Sequence, residues 1–145
     1  MKPKILLRIA AGLLMFHALG HALGHSTWKK TIDPVKREVI NQMTSHEFEF
    51  MGEARSMGDY YEGYGFSMIF VLLMMTAIVW LVSGSVSHPR TSAKVLIPVL
   101  FCLLAFTVID SIFFFALPAL ICLAAAVLIG FSIFQLRKVS HGRRI

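Results

Sequence analysis

The sequence predicts an all-α integral membrane protein, a four-helix bundle with an extra amphipathic helix at the membrane interface between helices 1 and 2. The chain is 57% hydrophobic and only 15% charged, whereas soluble domains carry about 25% charged residues. Four apolar stretches are each long enough to cross a hydrocarbon core of about 30 Å. We therefore expect a single transmembrane domain over residues 1–145.

The charged residues predict the orientation of the spans. If the N-terminus is cytoplasmic, every cytoplasmic segment satisfies the positive-inside rule. The basic residues on that side are Lys2, Lys4, Arg8, Arg90, Lys94, Arg137, Lys138, Arg143 and Arg144. The acidic residues all fall on the opposite side: Asp33, Glu38, Glu47, Glu49, Glu53, Asp59, Glu62 and Asp110. The net charge of +6 is then explained by topology and by contact with anionic lipids. The sequence has no basic patch with interleaved aromatic residues, so we do not predict nucleic-acid binding.

The first span is expected at about residues 4–24. It begins like a signal peptide, but its apolar run is longer than an h-region and no small-x-small cleavage site follows, so we expect it to be retained. Further along, Asp33 and Pro34 form a strong helix start, an acidic N-cap followed by proline at the first helical position. Apolar residues at helical spacing then predict an amphipathic helix at about 34–44, either on the outer membrane surface or capping the bundle.

The remaining spans are expected at about 58–82, 93–110 and 112–134. Before the second span, Glu47 and Glu49 alternate with Phe48 and Phe50. This alternation predicts an extended or irregular strip with its phenyl rings in the membrane interface.

Three further polar residues fall within or beside the last two spans. Asp110 ends the third span at a tight outer turn, and it is interpreted either as a cap or as a member of a site. Cys102 and Cys122 fall mid-span without CxxC or metal-binding spacing. They are interpreted as small buried hydrophobes in the bundle.

The sharpest local pattern is a histidine ladder in the first span. His17, His21 and His25 recur at i, i+4 and i+8, so they line one face of a helix. Gly20 and Gly24 fall between them and favour close approach of another helix. Imidazoles one turn apart can share a metal ion or relay protons. The alternative is that they form hydrogen bonds across the bundle for packing alone.

A second constellation opens the second span. If the chain is helical there, Arg55, Asp59 and Glu62 share a face, with Arg55 and Asp59 an i, i+4 pair of opposite charge. Glu62 then enters the membrane, where a carboxylate needs a partner, and its expected partners are Arg55 and the histidine ladder. The neighbouring tyrosines, Tyr60, Tyr61 and Tyr64, are expected at the interface as anchors.

Residues from His17 to about Trp80 resemble a small family of bacterial four-helix membrane proteins. The matching pieces are the run from His17 to His25, the strip from His46 to Gly52, and the run from Arg55 to Gly65 (RSMGDYYEGYG). The resemblance implies a multi-pass protein of the bacterial inner membrane, in keeping with the cytoplasmic termini that the charges predict. It implies no activity. Small four-helix sterol isomerases are similar in architecture alone.

The first functional hypothesis is a site for a lipophilic small molecule between helices 1 and 2. Its polar groups are expected to be His17, His21, Arg55, Asp59 and Glu62. If bonds change there, the chemistry is expected to be proton transfer by a desolvated carboxyl or imidazole, for example in isomerisation of an isoprenoid or sterol-like molecule.

A second hypothesis is a transition-metal or haem site on the histidine ladder, with carboxylates from another helix. Its candidate ligands are His17, His21 and His25.

A third hypothesis is a subunit or assembly factor whose polar seam binds another membrane protein or a second copy of this chain. Gly20 and Gly24 would then lie at an interchain contact. Membrane lipids are expected partners under all three hypotheses.

Overall fold

The computed structural model describes residues 2–142, and side chains as far as residue 139. The chain is all-α apart from one small hairpin, as predicted. Its elements in order are α1 (Pro3–Thr27), α2 (Pro34–Ser45), β1 (Glu47–Phe50), β2 (Glu53–Ser56), α3 (Met57–Gly84), α4 (Pro89–Phe113) and α5 (Ala116–Gly142). Four of these helices, α1, α3, α4 and α5, are long and apolar enough to cross a membrane.

The four long helices extend further than the hydropathy pattern predicted. Pro89 starts α4 at its first helical position, where a missing N–H costs no hydrogen bond. The break between α4 and α5 falls at Phe114 and Phe115 rather than at Ser111. Pro118 therefore lies in the first turn of α5, where it is tolerated without a kink.

Two compact units can be distinguished in the chain. The first comprises residues 1–17 and 72–145, and the second comprises residues 18–71. In the first unit, α4 and α5 pack closely against each other along their length. Its buried apolar residues recur at helical spacing on every helix: Leu7, Ala10, Ala11 and Leu14 on α1; Leu72, Met75 and Val79 on α3; Leu96, Val99 and Leu103 on α4; Ala125, Ala126, Ile129 and Ile133 on α5.

Large apolar side chains also cover the outside of these helices. Phe70, Leu81, Phe101 and Phe131 are each 60% or more exposed. A soluble monomer rarely exposes so much contiguous apolar surface, whereas a membrane span presents such a surface to lipid.

In the second unit, α2 begins where the sequence predicts. Asp33 is its N-cap, and Asp33 Oδ1 accepts hydrogen bonds from the amides of Val35 (2.9 Å) and Lys36 (3.3 Å). Pro34 occupies the first helical position. Ile40 is the buried apolar residue of α2, and Val35 is exposed.

The strip between α2 and α3 is a β-hairpin. Strands β1 and β2 are antiparallel, with Phe48 opposite Arg55 and Phe50 opposite Glu53. The turn residues Met51 and Gly52 both have positive φ, 54° and 85°, as the tight turns of two-residue hairpins require. Strand β2 runs directly into α3.

Candidate functional site

Three protic side chains from three helices meet in the first unit. The Sγ of Cys122 on α5 lies 3.5 Å from Nδ1 of His17 on α1. The same thiol donates a hydrogen bond to Oδ2 of Asp110 on α4, at 3.6 Å. Cys122 is 0% exposed and Asp110 is 8% exposed. We call this group the protic cluster.

The helical hairpin formed by α4 and α5 explains why Asp110 and Cys122 meet. Asp110 lies in the last turn of α4, and its backbone oxygen accepts a hydrogen bond from the amide of Phe114 at 3.1 Å. The chain turns over Phe114 and Phe115, so the second turn of α5 returns beside the last turn of α4. The predicted turn at Ser111 would have placed Cys122 too far along α5 to reach Asp110.

The hydrogen bonds of the protic cluster can order its protons. The thiol has one hydrogen, and Asp110 accepts it. When it does, the contact between sulfur and His17 is a hydrogen bond only if Nδ1 of His17 carries a proton and donates it. The cluster then forms a chain from imidazole through thiol to carboxyl.

Both cysteine predictions need correction. Cys122 is buried as predicted, but it is a polar link between His17 and Asp110 rather than an inert hydrophobe. Cys102 is exposed on α4, not buried in the bundle. Both positions look alike in the sequence because each is a single cysteine in an apolar run.

In the second unit, His25 at the C-terminal end of the histidine ladder meets α3. The His25 ring lies edge-on to Phe66, with ring centroids 4.7 Å apart and an interplanar angle of 76°. The rings of His21 and His25 are parallel, with centroids 6.5 Å apart. Gly65 makes this approach possible, since a Cβ built there would overlap the His25 imidazole. The close approach therefore depends on a glycine of α3, while Gly20 on α1 is exposed.

The residues that follow α1 extend its contact with α3, and we call the whole contact the seam. The rings of Trp28 and Tyr61 have centroids 4.6 Å apart. Lys29 forms an ion pair with Glu62, its Nζ 2.5 Å from Oε1. Glu62 thus has a basic partner, as its position in a span requires, but that partner is Lys29. The sequence offered no local signal for a pair of residues so far apart in the chain.

Arg55 and Asp59 do not join this seam. Arg55 belongs to β2, since the helix starts only at Met57, and its Nη2 lies 3.0 Å from Oε2 of Glu53. Asp59 Oδ2 accepts hydrogen bonds from the amide and the hydroxyl of Ser56, at 2.8 and 2.9 Å. The predicted shared helical face therefore includes Asp59 and Glu62 but not Arg55, and Asp59 caps the first turn of α3.

The metal hypothesis needs a set of converging ligands. Among residues 2–142, no group of three or more His, Cys, Asp or Glu side chains is placed to hold a metal ion. His17, His21 and His25 all lie on α1. A haem needs only one or two axial ligands, so this finding bears on metal ions alone.

The second unit also carries an open surface depression lined by Lys29, Lys30, Thr31 and Ile32. It is shallow, and neither His21 nor Glu62 lines it. No protein-family model, curated protein or solved structure matches the chain. The roles of these residues therefore follow from their geometry alone.

Proposed function

We propose that this chain is a multi-pass protein of the bacterial inner membrane that binds a lipophilic small molecule at the protic cluster and exchanges a proton with it. The observation that carries the proposal is the hydrogen-bonded chain of His17, Cys122 and Asp110, which joins the three apolar helices α1, α5 and α4. The charge distribution supports cytoplasmic termini, which would place Asp110 near the outer leaflet.

Burial makes this cluster costly, which argues against a role in packing alone. An ionisable group within a membrane span requires a partner and is destabilising relative to an apolar residue of similar size. The surrounding core positions hold leucine, isoleucine, valine and alanine, and such a residue would pack at the buried position of Asp110 without that cost. Ionisable residues in such surroundings typically serve binding, transport or catalysis.

The end of the helical hairpin next to Asp110 favours a lipophilic ligand. Four consecutive large apolar residues lie there, Ile112 and Phe113 at the end of α4 and Phe114 and Phe115 in the turn, and all are exposed. Turns that face water are rich in Gly, Pro, Asn, Asp and Ser. A phenylalanine-rich turn indicates lipid on that side, so a ligand would reach Asp110 laterally from the bilayer.

The cluster has the groups that acid–base chemistry on such a ligand requires. A carboxyl and an imidazole can each give or take a proton. The thiol connects them: as its proton passes to the Asp110 carboxylate, the sulfur receives one from His17. The net change is one proton moved from imidazolium to carboxylate. A molecule that gains a proton at one carbon and loses one at another would be isomerised with no other reactant.

Mass spectrometry of co-purified lipids tests this proposal. The parent protein is extracted from bacterial membranes in mild detergent beside Asp110→Asn and His17→Ala. Ser111→Ala and His46→Ala are matched controls, because Ser111 and His46 are exposed and lie outside the cluster. A lipid enriched in the parent and controls but absent from both cluster variants supports the proposal. Identical lipid content in all five proteins refutes it.

Exchange in deuterated water then tests proton transfer. If the cluster protonates carbon, the enriched lipid incubated with the parent protein gains deuterium, and with Asp110→Asn it does not. Binding of the lipid without deuterium uptake would indicate that the protein carries or senses the lipid, and would rule out the catalytic part of the proposal.

A contact with a second membrane protein is also supported by one observation. A Cβ added at Gly20 or Gly24 would meet nothing within 4 Å, and both glycines are exposed beside exposed Leu19 and Leu23. Exposed small residues four apart are typical of contacts between helices of different chains. Cysteine cross-linking at Gly20 in native membranes tests this second candidate, and the recovery of monomer alone counts against it.

A further inference from the structure

The β-hairpin of the second unit has two chemically different faces. Alternate residues of a strand point to opposite faces, and directly opposed residues share one. The observed register places Phe48, Phe50, Glu53 and Arg55 together. The other face holds Glu47, Glu49, Ala54 and Ser56. We call these the phenylalanine face and the glutamate face.

The phenylalanine face combines two apolar rings with an ion pair and has no net charge. Both rings are at least half exposed, and Met51 at the turn is 90% exposed. The charges of Arg55 and Glu53 cancel in an ion pair of 3.0 Å. Arg55 Nη1 also donates a hydrogen bond to the Ala54 carbonyl at 2.8 Å. The charged groups on this face are thus largely satisfied internally.

The glutamate face contacts the rest of the second unit only at the Ser56 end of β2, whereas Glu47 and Glu49 are exposed. Ser56 is buried there and bonded to Asp59. The next residues approach α2 closely, since a Cβ at Gly58 would lie 2.7 Å from Cγ2 of Thr44 and 3.3 Å from the Met43 carbonyl oxygen. The phenylalanine face therefore points away from this contact, and both of its rings remain at least half exposed.

The hairpin is tied to the level of the membrane surface. Strand β2 ends at Ser56 and the apolar helix α3 starts at Met57. Tyr60, Tyr61 and Tyr64 follow within two turns and are exposed, as aromatic residues at the headgroup level are. A four-residue strand is about 13 Å long, whereas the headgroup region on each side is only about 5–7 Å thick. A hairpin that stood upright would carry Phe50 and Met51 into water.

We propose that the hairpin lies flat in the headgroup region, with Phe48, Phe50 and Met51 inserted into lipid and the glutamate face turned to water. Its partner is the bilayer surface itself. The proposal goes beyond the ligand site of the protic cluster and does not depend on it. It explains why the exposed turn is built from methionine and phenylalanine beside glycine, and why the single arginine of the hairpin is paired.

Tryptophan fluorescence in vesicles tests the face and the partner together. Trp28 and Trp80 are first replaced by phenylalanine, and one tryptophan is then introduced as Phe50→Trp or, as a matched control on the other face, Glu49→Trp. Each protein is reconstituted into phosphatidylcholine vesicles with and without brominated acyl chains, and iodide is added from the water. Thermal unfolding equal to that of the tryptophan-free parent shows that each variant folds, and Phe48→Trp replaces Phe50→Trp if that variant does not.

The expected result is that the tryptophan at 50 is blue-shifted and quenched several-fold more by bromine than the one at 49, with the reverse order for iodide. Iodide quenching of both without bromine quenching would overturn the proposal, since the hairpin would then project into water. Equal bromine quenching of both would overturn the assignment of the two faces. Protection from both quenchers would show a protein partner or second copy on this face, and would also overturn it. None of these substitutions touches the protic cluster, so the outcome is separate from the lipid co-purification result.

Discussion

Gly65 provides a direct test of the contact between the histidine ladder and α3. In Gly65→Ala the new methyl group would overlap the His25 imidazole, so the ring must move. The matched control is Gly63→Ala, because Gly63 lies in the same helix two residues earlier and a Cβ there meets nothing within 4 Å. Both substitutions raise helix propensity equally, and only one disturbs the ring.

The magnitude follows from three terms. Alanine stabilises a helix interior by about 0.5–1 kcal/mol relative to glycine. Loss of the edge-on contact with Phe66 costs about 0.5–1.5 kcal/mol, and forcing His25 from its preferred rotamer costs about 0.5–1.5 kcal/mol. Gly63→Ala is thus expected to be stabilised by up to about 1 kcal/mol. Gly65→Ala is expected to be about 1–3 kcal/mol less stable than that control.

The assay is unfolding of the purified protein in mixed micelles by increasing sodium dodecyl sulfate, followed by tryptophan fluorescence. Trp28 packs on Tyr61 in the same unit, so its fluorescence reports the unfolding of that unit. If Gly65→Ala and Gly63→Ala unfold within about 0.5 kcal/mol of each other, His25 does not pack on Gly65 and the described seam between α1 and α3 is wrong.

Three further predictions concern other contacts. Cys122→Ala removes the thiol donor to Asp110 and is expected to lower the free energy of unfolding by about 1 kcal/mol. Cys122→Ser keeps a donor, and Cys102→Ala, at an exposed position, is expected to change the stability little. Equal losses of stability in Cys122→Ala and Cys102→Ala would contradict the hydrogen bond. Asp33→Ala removes the N-cap of α2 at a cost of about 1 kcal/mol, which should appear as faster tryptic cleavage within the helix; an unchanged cleavage rate would show that the cap is dispensable. A double-mutant cycle with Lys29→Met and Glu62→Gln should give a coupling of at most about 1 kcal/mol that weakens with salt, because both side chains are partly exposed; a salt-independent coupling of several kcal/mol would show that the pair is desolvated.

The helices could be predicted because their signals lie in neighbouring residues. Runs of apolar residues long enough to span a bilayer identify α1, α3, α4 and α5, and Asp33 with Pro34 gives the start of α2 directly. The hairpin was predicted only as an extended or irregular strip. The first position of its turn is a methionine with positive φ, a conformation more typical of glycine or asparagine, so Gly52 alone was too weak a signal to place the turn.

The site residues were harder to predict because their partners lie far apart in the chain. Glu62 was rightly expected to need a partner, but Lys29 lies just beyond the end of α1, and its role depends on how far that helix extends. Cys122 and Asp110 meet only because the turn falls at Phe114 and Phe115. An error of three residues in the position of that turn separates them, and apolar patterns do not locate a turn that is itself apolar.

The absence of a linker between β2 and α3 has a mechanical consequence. A hinge needs residues whose φ and ψ can change freely, and Ser56 and Asp59 instead tie the junction with hydrogen bonds from both the amide and the hydroxyl of Ser56. We therefore expect the strands and the first turns of α3 to move as one rigid body. A tilt of the strands would then rotate the first turns of the helix, because no flexible linker lies between the two elements.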